Sequence, residues 1–91
     1  MLLMGFRFSR AAAGFLDKMP PGKMRKAVRK RAMALLNEPY PHGCVKLKGK
    51  KSDVWPVWRV REGKYRILYE VRKNPNEIVV TDIGHRKDVY R

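Results

Sequence analysis

Apolar and polar positions alternate with a period of two along VWRVREGKYRILYEV, residues 57–71. Successive side chains of a β-strand point to opposite faces, so this period is typical of strands with one buried face. The alternation runs on both sides of Glu62-Gly63. The segment therefore predicts a β-hairpin that turns at these two residues.

The hairpin pattern also predicts a register. A two-residue loop at Glu62-Gly63 pairs Val60 with Tyr65 and keeps the apolar side chains on one face, whereas a slip by one residue would mix the faces. In this register, Arg59 lies directly opposite Arg66. Both arginines, together with Arg61 and Lys64, are predicted to point away from the apolar face.

The first half of the chain has the helical period instead. After Ser9, a plausible N-cap, the pattern i, i+3, i+4, i+7 predicts a short helix that ends at MPPG, residues 19–22. Its apolar positions are Ala12, Phe15, Leu16 and Met19. A second amphipathic helix is predicted over 23–37. Its apolar stripe comprises Met24, Val28, Ala32, Leu35 and Leu36.

The remaining segments predict three more strands and the turns between them. The strands are 2–8 (LLMGFRF), 45–49 (VKLKG) and 77–84 (EIVVTDIG), and the turns are Gly49 to Asp53 and Asn74-Pro75-Asn76. The last strand is apolar nearly throughout, which predicts an interior position in the sheet. The order β-α-α-β-β-β-β predicts an α+β two-layer fold, with a mostly antiparallel sheet and a helical hairpin on one face. With 91 residues the chain is predicted to form one domain, 1–91.

Composition adds a strong positive charge to this picture. The chain has 22 Lys and Arg against 8 Asp and Glu, a formal net charge of +14. Such a field attracts nucleic acid and also an acidic protein partner. Because self-repulsion destabilises a folded domain, we favour a nucleic-acid partner over a merely solubilising surface.

Cysteine and histidine usage narrows the chemistry. Cys44 is the only cysteine, which excludes an internal disulfide and fits the reducing cytoplasm. One cysteine with the distant His42 and His85 supplies too few zinc ligands, and we predict neither a metal nor a cofactor. The opening MLLMGF is too short for a signal-peptide core or a membrane span, so no membrane association is expected.

The facing arginines suggest phosphate chemistry. Like charges directly opposite each other destabilise a sheet, whereas a phosphate can bind two guanidinium forks at once. The last strand is expected to bring Gly84-His85-Arg86 to the same surface, with Tyr90 close behind. The alternative is that the arginines form a solvated edge and that Tyr90 packs in the core.

Three motifs resemble the RelE/ParE superfamily of small toxins from toxin–antitoxin operons, and the RelE branch most closely. They are LKG (47–49), WRVREGKYRILYEV (58–71) and IGHRKDVYR (83–91). The opening RFSRAAAGFLDKMPPG (7–22) is also similar. The resemblance implies a cytoplasmic, metal-independent, ribosome-dependent endoribonuclease that cuts mRNA in the ribosomal A site by attack of the 2′-hydroxyl, leaving a 5′-hydroxyl product.

The resemblance also implies site residues. The implied catalytic set is Arg59, Arg61, Arg66, His85, Arg86 and Tyr90. Seven further cations are assigned to RNA or ribosome binding: Lys46, Lys48, Lys64, Lys23, Lys26, Arg29 and Lys30.

One departure from the family concerns the general base. Well-known RelE-type proteins have lysines where this chain has Arg59 and Arg61. A permanently charged guanidinium can clamp phosphate oxygens but is a poor base, so the base is unassigned. His85 is the expected proton shuttle, as general acid or as base, because histidine titrates near neutral pH. Tyr90 would stack on a base, orient the 2′-hydroxyl or pack in the core, and Glu70 is a lower-ranked base or an ion-pair partner.

The implied partners are a cognate acidic antitoxin and the ribosome with its A-site mRNA. Whether toxin and antitoxin form a larger hetero-oligomer stays open, and promoter DNA would be bound only through the antitoxin. Three alternatives to the nuclease also stay open: a ParE-like inhibitor of DNA gyrase, a non-catalytic RNA-binding domain, and a catalytically weakened family member.

Overall fold

The computed structural model describes residues 4–51 and 54–85 of the chain. It contains five strands, two helices and a 3₁₀ turn. In chain order these are β1 (Gly5–Phe8), α1 (Arg10–Lys18), α2 (Lys23–Met33), the 3₁₀ turn (Ala34–Leu36), β2 (Val45–Lys51), β3 (Pro56–Glu62), β4 (Tyr65–Arg72) and β5 (Glu77–His85). The predicted order of elements is confirmed.

The strands form one mixed sheet in the order β1-β5-β4-β3-β2. Strand β1 is parallel to β5, and the other neighbouring pairs are antiparallel. The helices pack on one face, which confirms the predicted α+β two-layer fold. Strand β5 lies between β1 and β4, so its predicted interior position is confirmed.

The core lies between the helices and one face of the sheet. It comprises Ala12, Leu16, Met19, Val28, Ala32, Leu35, Val60, Ile67, Tyr69, Ile78, Val80 and Ile83. The stripe predicted for the second helix is wrong at Met24, which is 43% exposed and lies beside Gly63 of the β3–β4 turn and not in the core. The α-helix also ends at Met33, earlier than predicted, and continues as the 3₁₀ turn.

Ser9 joins the first helix to the sheet. Its hydroxyl accepts a hydrogen bond from the Ala12 backbone N–H (3.1 Å) and donates one to the Thr81 carbonyl of β5 (2.6 Å). The first bond confirms Ser9 as the N-cap, because it satisfies a backbone donor that has no partner inside the helix. The second fixes where α1 begins above β5.

The hairpin is confirmed, but its predicted register is wrong by two residues. Val60 pairs with Ile67, Arg61 with Arg66, and Glu62 with Tyr65, so the loop is Gly63-Lys64. Gly63 has φ +58°, the sign required at the first central position of a type II′ turn. A loop at Glu62-Gly63 would put glutamate at that position, where a side chain is strained. A shift by two residues keeps each side chain on its predicted face.

The turn predicted from Gly49 to Asp53 is also wrong in part. Strand β2 continues through Lys51, which pairs with Pro56. Between the pairs Lys46–Trp58 and Lys51–Pro56, five steps along β2 correspond to two along β3, so the ladder is irregular. Edge strands often carry charged residues such as lysine, so the polar composition of residues 49–51 did not reveal this extension. Residues 52–53 lie outside the described ranges.

In the part of the chain that the structure describes, no helix is both long enough and apolar enough to cross a membrane.

Candidate functional site

Three arginines of the central hairpin lie on the sheet face opposite the helices. We call Arg59, Arg61 and Arg66 the arginine face. Their neighbours Val60 and Ile67 are buried against the helices, so alternation directs the arginines to the other side. The predicted common face is confirmed, but the residue opposite Arg66 is Arg61, and Arg59 is opposite Leu68.

The arginine face combines an exposed side chain with two partly buried ones. Arg61 is exposed, whereas Arg59 and Arg66 are half-buried. Leu68, between Arg66 and Glu70 along β4, is fully buried. Cβ atoms of directly paired residues lie about 5 Å apart, so the side chains of Arg61 and Arg66 start close together. This arrangement suits a phosphate that accepts hydrogen bonds from two planar forks.

His85 does not lie on the arginine face. Gly84 pairs with Arg66, and the next residue, His85, pairs with Tyr65 on the helix side. The His85 ring centroid is 6.1 Å from that of Tyr65, which in turn lies 6.0 Å from the ring of Phe15 in α1. The prediction that the imidazole and the guanidinium groups share one surface is therefore wrong, because one extra residue on β5, between the pairs Tyr69–Val80 and Leu68–Asp82, reverses the alternation before His85.

The other predicted catalytic residues of the C-terminal segment, Arg86 and Tyr90, lie outside the described residues. Their position beside the arginine face stays a prediction.

Glu70 lies on the same sheet face as the arginines and is fully buried. Its Oε1 accepts a hydrogen bond from Arg72 Nε at 2.7 Å, and Arg72 Nη2 is also 2.7 Å away. Of the two predicted roles, the ion-pair partner is confirmed. A carboxylate with no solvent-accessible surface has no direct access to an RNA hydroxyl, so the structure gives no support to Glu70 as the base.

The cations predicted to bind RNA lie on three parts of the structure: α2, β2 and the β3–β4 turn. Lys23, Lys26, Arg29 and Lys30 are exposed along α2, on the helix side. There a groove of about 480 Å³ is lined by Lys26, Arg29, Lys30, Met33, Ala34 and Asn37. Lys46 pairs with Trp58 at the β2 edge, Lys48 is exposed on the same strand, and Lys64 is exposed in the β3–β4 turn. The four cations of α2 are therefore separated from the arginine face by the sheet.

Tyr69 forms a buried polar cluster that sequence analysis did not predict. Its hydroxyl donates a hydrogen bond to the Pro39 carbonyl at 2.7 Å. Burial, with a smaller contribution from the neighbouring Cys44, raises the pKa of Tyr69 above the ordinary value of 10.0. The alternating pattern placed Tyr69 on the apolar face, but no local pattern indicates which distant carbonyl its hydroxyl meets.

These features define the class of the protein, a small α+β protein with a cationic sheet surface. Its mixed five-stranded sheet carries a helical hairpin on one face and paired arginines on the other. Comparison with known proteins identifies the family. The chain matches the ParE toxin family of type II toxin–antitoxin systems (parDE) over residues 6–90 and belongs to that family, within the RelE/ParE superfamily.

Individual relatives agree with this assignment. The chain is 29% identical over 85 residues to Toxin RelG of Mycobacterium tuberculosis, covering 93% of each protein. It is 28% identical to a chain of the toxin–antitoxin complex RelBE2 from the same organism, with a TM-score of 0.69 over 90% of this chain and 96% of that one. A chain of the archaeal RelE–RelB complex from Pyrococcus horikoshii is 19% identical, and its TM-score of 0.74, over 97% of this chain and 100% of that one, shows the shared fold alone.

Proposed function

We propose that this toxin is a RelE-type endoribonuclease that cleaves mRNA in the ribosomal A site. The observation that carries the proposal is the direct pairing of Arg61 with Arg66, with Arg59 on the same sheet face. The similarity to RelG and to a chain of the RelBE2 complex supports the RelE branch.

Cleavage requires removal of the 2′-hydroxyl proton, stabilisation of the charge on the phosphate and protonation of the 5′-oxygen. The arginine face performs the second of these tasks. The 2′-oxygen attacks phosphorus and gives up its proton, an O2′–P bond forms, the P–O5′ bond breaks, and the leaving 5′-oxygen takes up a proton. Charge builds up on the non-bridging oxygens as the pentacoordinate phosphorus forms. Fixed guanidinium donors stabilise that charge more than the charge of the ground state, which lowers the barrier.

The residues that transfer protons are a separate question from the residues that bind the phosphate. Because His85 lies with Tyr65 on the helix side, we assign it no contact with the same phosphate. The predicted roles of Arg86 and Tyr90 remain part of the proposal, since these residues follow β5 in the chain.

The proposed partners are the translating ribosome and an acidic antitoxin. A net charge of +14 favours an acidic polypeptide that folds on contact with the toxin. Two structural neighbours are toxin–antitoxin complexes, which supports the same kind of assembly for this chain.

The test is primer extension on a reporter mRNA incubated with translating ribosomes and the purified chain. We expect cleavage at A-site codons, with a 5′-hydroxyl on the downstream fragment. Arg61→Ala and Arg66→Ala should each slow cleavage by roughly 100-fold or more, the size of loss seen when one transition-state donor is removed.

Arg7→Ala is the matched control for this experiment. Arg7 pairs with Val79 and thus lies on the same sheet face, but on β1 and bonded to Glu77 (Nε–Oε2 3.2 Å). Its loss should leave the cleavage rate unchanged. Intact message in the presence of the wild-type chain, with growth arrest persisting in cells, would rule out the nuclease.

The family match to ParE toxins favours one second candidate, inhibition of DNA gyrase. A supercoiling assay with purified gyrase separates the two functions. A gyrase inhibitor would block supercoiling in the absence of ribosomes, and Arg61→Ala should not relieve that block if the arginine face serves RNA cleavage alone.

A further inference from the structure

The loop between the 3₁₀ turn and β2 exposes an aromatic side chain. Tyr40 is 52% exposed, and its ring centroid lies 5.0 Å from that of Trp58, with the planes inclined by 66°. An exposed tyrosine gains little from folding, since much of its apolar surface remains in water. Its edge-to-face contact with Trp58 nevertheless holds the ring at one place on the surface.

The backbone around Tyr40 is anchored on both sides. The preceding residue, Pro39, accepts the hydrogen bond from the buried Tyr69 hydroxyl at 2.7 Å. The following residue, Pro41, is buried, and its carbonyl accepts a hydrogen bond from the Cys44 backbone N–H at 3.0 Å. Tyr40 is thus presented by a preorganised loop, so a ligand that meets its ring does not have to order the chain first.

The chain around Tyr40 carries an excess of positive charge. Residues 38–51 include four lysines and one acidic residue, Glu38. Lys46 pairs with Trp58 and therefore lies on the same side of the sheet as the aromatic pair, and Lys48 is exposed farther along β2. An aromatic ring beside such cations is the arrangement by which proteins hold single-stranded nucleic acid.

The Tyr40 surface is linked to the arginine face through β3 itself. Trp58 contacts Tyr40 on the helix side, and the next residue, Arg59, points to the opposite face across from Val45 of β2. Within residues 4–51 and 54–85, the edge strand β2 alone separates the two surfaces on that side of the sheet. A flexible single strand can pass around such an edge, with phosphates on the arginine face and a base on Tyr40.

We propose that Tyr40 is a stacking platform for an unpaired RNA base on the strand whose phosphate binds the arginine face. This inference rests on the proposed function, because it extends the same RNA-binding site. A base is favoured over an apolar protein segment, because Lys46 is paired with Trp58, the residue that the Tyr40 ring contacts, and because stacking tolerates any base.

The test is fluorescence anisotropy with the full chain, a labelled twelve-nucleotide oligo(A) and, as competitor, inorganic polyphosphate of similar charge. Tyr40→Ala should weaken oligo(A) binding by roughly tenfold, the lower part of the range for loss of one stacked base. Tyr40→Phe keeps the ring and should bind like wild type. Polyphosphate has no bases, so its binding should be the same for all three proteins.

Val54→Ala is the matched control, because Val54 is 74% exposed between β2 and β3 and its truncation also removes exposed apolar surface. It should not weaken oligo(A) binding. Unchanged oligo(A) binding by Tyr40→Ala overturns the proposal, and so does an equal loss for polyphosphate, which would indicate a general effect on charge or folding. Weaker binding of an acidic antitoxin with RNA binding intact overturns it as well and makes Tyr40 a protein contact.

The assay contains no ribosome and requires no cleavage, so its result is independent of the nuclease test. If the wild type does not cleave mRNA but Tyr40→Ala weakens oligo(A) binding, the stacking platform is supported and the proposed enzyme is ruled out. If the wild type cleaves mRNA and Tyr40→Ala binds oligo(A) normally, the enzyme is supported and the stacking platform is ruled out.

Discussion

Gly63 shows how one residue decides which arginines meet. The alternating pattern is satisfied by any register that shifts by an even number of residues, so it fixed the face of each arginine but not its partner. The positive φ of Gly63 selects the Gly63-Lys64 turn, and that turn pairs Arg61 with Arg66. The chemistry of the turn thus carried information that the hydrophobic pattern lacked.

Tyr69 is the residue for which we predict a pH effect. Tyr69→Phe removes the hydrogen bond to the Pro39 carbonyl and should lower the free energy of unfolding by about 1 kcal/mol near neutral pH. Burial keeps the hydroxyl protonated in the folded state above pH 10.0, whereas the unfolded chain loses that proton. Unfolding then releases a proton, so this contribution to stability is constant below about pH 10 and falls as the pH rises further.

Urea denaturation at a series of pH values measures this effect as a difference between two proteins. Relative to Tyr69→Phe, the wild type should lose about 1.4 kcal/mol per pH unit above pH 10. Other tyrosines and the lysines titrate in both proteins and cancel in the difference. Parallel curves for the two proteins above pH 10 would show that the buried hydroxyl has an ordinary pKa.

The β3–β4 hairpin and α2 depend on each other at the scale of elements. A Cβ atom on Gly63 would lie 3.2 Å from Met24 Cε, and the backbone there has φ +58°. Gly63→Ala should therefore destabilise the fold by about 1–2 kcal/mol, because alanine is strained at positive φ and Met24 must move as well.

Gly14→Ala is the control for the Gly63 substitution. Gly14 lies within α1, and a Cβ atom there would meet nothing within 4 Å. The substitution should stabilise the protein by about 0.5–1 kcal/mol, because glycine is a poor helix former. Thermal unfolding of both variants measures the two changes, and a fall in the melting temperature for Gly14→Ala but not for Gly63→Ala would contradict this account.

The whole molecule carries positive charge on two opposite sides. The arginine face lies on one side of the sheet, and the exposed cations of α2 lie on the other, beyond the helix layer. A single phosphate cannot bridge the two, so we expect them to serve different steps. The α2 cations would hold the toxin on the ribosome, and the arginine face would act on the scissile phosphate.

This division of labour predicts different defects for the two surfaces. Replacement of Lys26, Arg29 and Lys30 by glutamine should weaken cosedimentation with ribosomes and make it less sensitive to salt, because fewer counterions are released on binding. Cleavage at saturating toxin should be nearly unchanged. Arg61→Gln should show the reverse, with normal cosedimentation and slow cleavage, and equal effects of both changes on both measurements would argue for one continuous RNA surface.

The sequence by itself determined the order of the helices and strands and the two faces of the β3–β4 hairpin. Those features follow from local periodicity and from prolines and glycines at the ends of elements, which act within a few residues. The same patterns put the arginines on one face, and the motifs of the hairpin indicated the family.

Only the tertiary structure decided which distant groups meet. The pairing of His85 with Tyr65 depends on the β4–β5 register, whose ladder shifts between Leu68 and Tyr69. That shift places one more residue on β5 than on β4, and every residue beyond it changes face relative to an unbroken alternation. Local periodicity does not indicate such a shift. The extra residue is accommodated by the pairing between two strands, which are distant in sequence, and not by its sequence neighbours.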